Sequence, residues 1–125
     1  MFKIQVDQER ALMELTLEGS IREDEMRRFV EQALEDASEL IAQGRSIRVL
    51  SDFRKLRATS PEAAEVLRQG QEAAMRAGMQ RIAEIVSSEM TVLQLNRIAR
   101  RSGMDRMLRR FHDHEEAWRW LMELE

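Results

Sequence analysis

The 125 residues of this chain, 43% hydrophobic and 34% charged, fit a soluble globular domain, and we expect residues 1–125 to form a single one. The absence of cysteine excludes disulfides, thiolate zinc sites and thiol catalysis. The net charge of −3 disfavours general nucleic-acid binding, and no apolar run is long enough to span a membrane. Because residues 1–6 lack the apolar core of a signal peptide, we expect a cytoplasmic protein.

Two alternating stretches open the chain. Apolar and polar residues alternate over residues 2–6 and again over 13–17, which is the period of a strand with one buried face. The short polar segment 7–10 between them predicts a hairpin. Apolar residues at three- and four-residue spacing then predict a long helix over about residues 22–43, with Gly44 just past its end.

The rest of the chain alternates strands with helices. Strands are predicted at residues 47–53, 80–87 and 107–111, helices at 61–77, 90–102 and 114–124, and a basic loop at 54–60. The order ββαβαβαβα predicts an α/β fold, with a five-stranded mixed sheet, about four helices and right-handed crossovers. Gly70, in the interior of the second helix, predicts a close approach of that helix to the sheet.

The ending "MLRRFHDHEEAWRWL" carries a resemblance. A basic strand finishes on Phe111, Asp113 begins a helix, and that helix contains Ala117, Trp120 and Leu121. Together with the element order, and with a third strand that runs into a loop and a capped helix, this pattern resembles the SpoIIAA-like branch of the STAS superfamily. The resemblance implies a non-enzymatic domain without a cofactor that binds protein partners, with some members binding nucleotides or apolar ligands.

Two hydroxyl residues, Thr59 and Ser60, stand at the predicted start of the second helix. In anti-sigma-factor antagonists of this superfamily a serine or threonine at that place is phosphorylated, which abolishes partner binding, so the resemblance implies modification at Ser60 or Thr59. The family usually has aspartate before this hydroxyl, where this chain has Ala58. Helix capping also explains both hydroxyls without any function, because Pro61 suits the first helical position and Glu62 fits a capping box.

Capping leaves the basic residues Arg54, Lys55 and Arg57 unexplained. Together with a helix N-terminus, they would favour a negatively charged group. We therefore predict a cytoplasmic regulatory binding module and not an enzyme. Its 54–60 loop and the N-terminal half of the following helix would contact an unknown protein partner, for which an acidic surface is the natural match, with Thr59 or Ser60 as the switch.

The nine methionines support an alternative, a carrier or sensor of an apolar or anionic small molecule, lipid-like in character, in a Met-lined pocket. Glu84 lies in the strand predicted to be central, where a carboxylate needs a partner. It would face a ligand, point to an edge of the sheet or pair with a nearby arginine.

Three further features carry weaker hypotheses. Six arginines over residues 97–110 indicate a solvated face or a patch for an acidic partner or an anionic head group, and nucleic acid is disfavoured because no aromatic residues interleave with them. The segment 112–116, "HDHEE", resembles a metal site, although it also fits a helix cap. Trp118, Trp120 and Met122 form a stripe that we predict to be a homodimer contact.

Overall fold

The computed structural model describes residues 1–79 and 81–123. The strands are β1 Phe2–Asp7, β2 Leu12–Leu17, β3 Arg48–Asp52, β4 Arg81–Ile85 and β5 Leu108–Phe111. The helices are α1 Glu23–Ala42, α2 Pro61–Arg76, α3 Glu89–Ser102 and α4 His114–Glu123. The predicted α/β class and element order are confirmed, and the predicted residues Gln80 and Leu124 lie outside the described residues. A short 3-10 turn at Met104–Arg106, which the sequence did not predict, follows the left-handed Gly103 at the end of α3.

The sheet has the strand order β1-β2-β3-β4-β5. β1 pairs antiparallel with β2, and the remaining neighbours are parallel. Each crossover steps to the next strand in the same direction, and right-handed connections of this kind place their helices on one face of the sheet. α1, α2 and α3 therefore cover one face, and α4 covers the other.

One row of paired residues crosses the middle of the face beneath α1 and α2. Ile4 pairs with Leu15, Leu15 with Ser51, Ser51 with Glu84, and Glu84 with Arg110. The row is apolar on β1 and β2 and polar on the other three strands. We call Ser51, Glu84 and Arg110 the interior polar row.

The opposite face is packed by α4, whose Ala117 and Leu121 are fully buried. Trp118 and Trp120 lie on either side of this stripe, so both rings are partly buried at the edges of one core. Trp118 stacks on His114, and the Met122 sulfur lies 3.7 Å from a guanidinium nitrogen of Arg48 on β3. A dimer contact at Trp118, Trp120 and Met122 stays a prediction, and all three side chains already have contacts within the chain.

Gly70 marks a close approach of two helices and not, as the sequence suggested, of a helix to the sheet. A Cβ atom at this position would lie 2.7 Å from Cγ1 of Val30 on α1. The expectation was wrong about the neighbour because α1 and α2 pack directly on each other above the sheet. None of the helices in the described part of the chain has the length and apolar content that crossing a bilayer requires.

Candidate functional site

The basic loop after β3 has a fixed backbone. Leu56 is buried, with 5% of its surface exposed, and anchors the middle of the loop in the core. The Gly19 N–H donates to the Lys55 carbonyl at 2.8 Å, and the Arg57 N–H donates to the Gly19 carbonyl at 3.0 Å. These bonds tie the loop to the end of β2, so its basic side chains project from a preorganised backbone.

Helix α3 holds the other side of the loop. The Thr91 hydroxyl donates to the Leu56 carbonyl at 3.0 Å. The Gln94 side chain accepts from the Thr59 N–H at 3.1 Å and donates to the Thr59 carbonyl at 2.9 Å. This pair of hydrogen bonds satisfies both backbone groups of Thr59, as pairing with a β-strand does. The wall opposite the loop is therefore the first half of α3, and a partner contact at the first half of α2 stays a prediction.

Between the loop and α3 lies an open depression of about 940 Å³, which we call the basic groove. Its charged lining residues are Arg54, Lys55, Arg57, Arg97 and Glu18. Arg54 is neutralised by the neighbouring Asp52 carboxylate, which lies 2.7 Å from its guanidinium. In the part of the chain that the structure describes, the other three cations form no ion pair, so the groove carries uncompensated positive charge.

Two exposed apolar side chains complete the groove. Met90 is 77% exposed and Leu93 65% exposed, and both belong to the first turns of α3. The predicted site residues do not include them, although the sequence carries a signal. Neither residue falls on the inward stripe that contains Leu95 and Ile98. A large apolar residue outside the buried stripe of a helix is a candidate contact residue.

The two hydroxyl residues differ in exposure and in hydrogen bonding. Ser60 is exposed and caps α2, since its Oγ accepts from the Ala63 N–H at 3.1 Å with Pro61 at the first helical position. Thr59 is half-buried, and its hydroxyl finds no hydrogen-bond partner among the described residues. Neither lines the groove itself, but Thr59 is joined to it through Gln94. Modification at Ser60 or Thr59 stays a prediction.

The arginines of the 97–110 segment do not form one surface. Arg97 lines the basic groove, and Arg101 lies 3.5 Å from the Glu65 carboxylate on α2. Arg110 points into the core, with 18% of its side chain exposed. The other three arginines of the segment are exposed. The segment thus serves several roles and supplies a single side chain to the groove.

Glu84 pairs with an arginine, which was one of the readings left open by the sequence. The Arg110 Nε donates to Glu84 Oε1 at 3.0 Å, and Arg110 also donates to the Asn96 side chain. Burial raises the pKa of Glu84, while the charge and hydrogen bond of Arg110 lower it. Sequence alone could not choose among these readings, because it does not show that β5 lies beside β4.

The "HDHEE" segment forms the start of α4. Asp113 Oδ1 accepts from the Glu115 N–H at 2.8 Å, which satisfies a free donor of the first turn. The His112 Nδ1 lies 3.0 Å from the Val86 carbonyl. Across residues 1–79 and 81–123, no three histidine or carboxylate side chains converge as a metal site requires.

Comparisons with known proteins agree on the fold. A family model described as SpoIIAA-like matches residues 12–122. An uncharacterized DUF3478-family protein with a SpoIIAA-like fold from Shewanella loihica superposes with a TM-score of 0.62 at 19% identity, over 97% of this chain and 92% of that one. The NMR structure of the protein TM1081 gives a TM-score of 0.63 at 12% identity, over 97% and 88%. A comparison with curated proteins finds no significant match.

Proposed function

The chain belongs to the SpoIIAA-like family, and we propose that it is a regulatory binding module whose basic groove receives an acidic segment of a partner protein. The fold of this family is typical of non-enzymatic regulatory domains. The observation that carries the proposal is the fixed loop, which presents Lys55 and Arg57 unpaired opposite the exposed Met90 and Leu93.

The charges of the groove favour an acidic partner. Lys55, Arg57 and Arg97 are exposed and line the same depression, with Glu18 as the one opposing charge among its lining residues. A cluster of one sign steers oppositely charged partners during encounter, and its effect falls as salt screens it. The backbone of the loop is already held by bonds to Gly19 and Gln94, so binding would not have to order it.

The apolar residues of the groove define the second part of the contact. Met90 and Leu93 would pack against an apolar side chain of the partner segment, and a flexible thioether adapts to different shapes. Interfaces commonly bury a small apolar centre inside a polar and charged rim. The proposed partner segment therefore combines one or two apolar residues with flanking aspartate or glutamate.

Ser60 is the better placed of the two candidate switch residues. It is exposed, while the Thr59 hydroxyl is buried. A phosphate on Ser60 would lie at the α2 N-terminus, where free backbone N–H groups favour an anion. Its negative charge, on the same loop as Arg57, would offset the positive field of the groove and weaken binding of an acidic segment.

Affinity capture from a lysate of the source cells tests the proposal, with acidic proteins expected among those retained. The variant Lys55→Glu/Arg57→Glu should lose them, and binding to the natural protein should weaken as salt rises. Arg100→Glu/Arg106→Glu is the matched control, because it makes the same charge change at exposed arginines outside the groove lining. Equal loss in both variants would indicate a general charge effect and would contradict the proposal.

The switch is tested in the same capture with Ser60→Asp and Ser60→Ala. Both aspartate and serine are good N-cap residues, so Ser60→Asp changes the charge and keeps the cap. We expect Ser60→Asp to retain less partner than Ser60→Ala. If the two variants capture equally, the switch hypothesis fails while the groove hypothesis stands.

A further inference from the structure

A cavity of about 70 Å³ lies between α1, α2 and the sheet. Most of its lining is apolar and includes Met13, Met79 and Met104. An apolar cavity of roughly 150 Å³ binds benzene in an engineered protein, and one water takes about 30 Å³ of liquid. By both comparisons the space suits a molecule of about two or three non-hydrogen atoms, and it is too small for the lipid-like ligand that the methionines suggested.

Three buried polar side chains line the same cavity. Ser51, Gln71 and Glu84 are 3%, 6% and 2% exposed. Gln71 accepts from the Ser102 hydroxyl at 2.6 Å through its oxygen, and Glu84 receives Arg110 through one carboxylate oxygen. Among the described residues, the Ser51 hydroxyl, the Gln71 amide nitrogen and the second Glu84 oxygen have no hydrogen bond. These three groups belong to residues that line the cavity, so a polar ligand group placed there would supply the hydrogen-bond partners that they lack.

We propose that this cavity binds a small neutral molecule with a hydroxyl head and an aliphatic body of one or two carbon atoms. Such a head can donate to the free Glu84 oxygen and accept from Ser51 or Gln71 at once. The ligand should be neutral because Arg110 already balances Glu84, and a further buried charge would have no partner. The aliphatic body would pack against the methionine side chains.

A shallow outer groove between α1 and α2 offers the route to the cavity. It measures about 180 Å³ and shares Val30, Leu34 and Gly70 with the cavity lining. These three residues form the wall between the two spaces. Since the Gly70 position has no side chain, the side chains at this boundary are those of Val30 and Leu34.

Methyl NMR of the protein labelled at its methionines tests the inference with methanol and ethanol as probes. We expect the signals of Met13, Met79 and Met104 to shift and saturate, while those of the exposed Met1 and Met90 do not. Formate, of matched size but charged, should produce no saturating shift. A linear or absent response to both neutral probes would mean that the cavity holds water only, and equal binding of formate would overturn the neutral head.

The variant Ser51→Ala tests which end of the ligand points inward. Removing one hydrogen bond of ordinary strength should weaken ethanol binding by about fivefold. Ser46→Ala, at an exposed serine, is the matched control and should bind as the natural protein does. Unchanged affinity in a folded Ser51→Ala protein would overturn the proposed contact. If Ser51→Ala does not fold, the ethanol and formate titrations of the natural protein decide.

Discussion

The interior polar row and the basic groove both contain cationic side chains, which are largely buried in the row and exposed in the groove. In the row, the Arg110 guanidinium is held 3.0 Å from a carboxylate that is 3% exposed. In the groove, Lys55 and Arg57 extend into solvent from a backbone that is itself fixed. Buried charge has to be paired, whereas exposed charge can remain unpaired at little energetic cost. The ion pair of the row is therefore needed to compensate its buried charges, whereas the cations of the groove remain available for a partner.

The largest expected effect lies in the row. Arg110→Met leaves Glu84 buried without its partner and should lower the free energy of unfolding by about 3–5 kcal/mol. Urea unfolding at neutral pH measures this loss. Arg109→Met, at an exposed neighbour on the same strand, is the control and should change stability by less than about 1 kcal/mol. Similar losses in both variants would show that the ion pair is not the cause.

The loss of stability caused by Arg110→Met should grow as the pH rises. Burial raises the pKa of Glu84 above its ordinary value of 4.5, so the folded state holds this proton more tightly than the unfolded state. The stability linked to Glu84 is present below that ordinary value and is lost as pH rises through the folded pKa. Without the Arg110 guanidinium the folded pKa rises further, so Arg110→Met should be more destabilised at pH 8 than at pH 5. An equal loss at both pH values would contradict this.

The next effect belongs to the packing above the row. Gly70→Ala places a methyl group 2.7 Å from Val30 Cγ1, and a β-branched residue in a helix has little freedom to turn away. We expect a loss of about 1–3 kcal/mol despite the better helix propensity of alanine. In thermal unfolding, the double variant Gly70→Ala/Val30→Ala should lose less than the sum of the two single variants. Additive losses would show that the two positions are not coupled.

A smaller effect is expected at the margin of the groove. Ser60→Ala removes the side-chain cap of α2 and should lower stability by about 1 kcal/mol. Ser60→Asp should stay close to the natural protein, since aspartate also caps. Thermal unfolding compares both with Ser46→Ala, an exposed serine outside any helix. A destabilised Ser60→Asp protein would argue against the cap as the explanation.

The smallest effect on stability is expected inside the groove. Lys55→Ala/Arg57→Ala removes two exposed cations that form no ion pair with the described residues, so the free energy of unfolding should change by less than about 0.5 kcal/mol. The same urea experiment measures it. A loss as large as that of Arg110→Met would remove the distinction between the two regions.

Sequence periodicity was enough for the order of strands and helices, and Pro61 was enough to locate the helix that Ser60 caps. The groove could be predicted only in part, because Arg54, Lys55 and Arg57 are adjacent in the chain while Met90 and Leu93 come from a later helix. The interior polar row was beyond sequence reasoning for a related reason. Ser51, Glu84 and Arg110 become neighbours only through the register of three strands.

The strand order β1-β2-β3-β4-β5 has a consequence for how the chain folds. Every strand pairs with the strand that follows it along the chain, so no segment has to insert between two strands already in place. The sheet can grow outward one neighbour at a time, and each new pairing closes a loop of only one helix or one turn. Pairings between nearby segments carry a small entropy of closure, which favours rapid folding for a sheet that is mostly parallel.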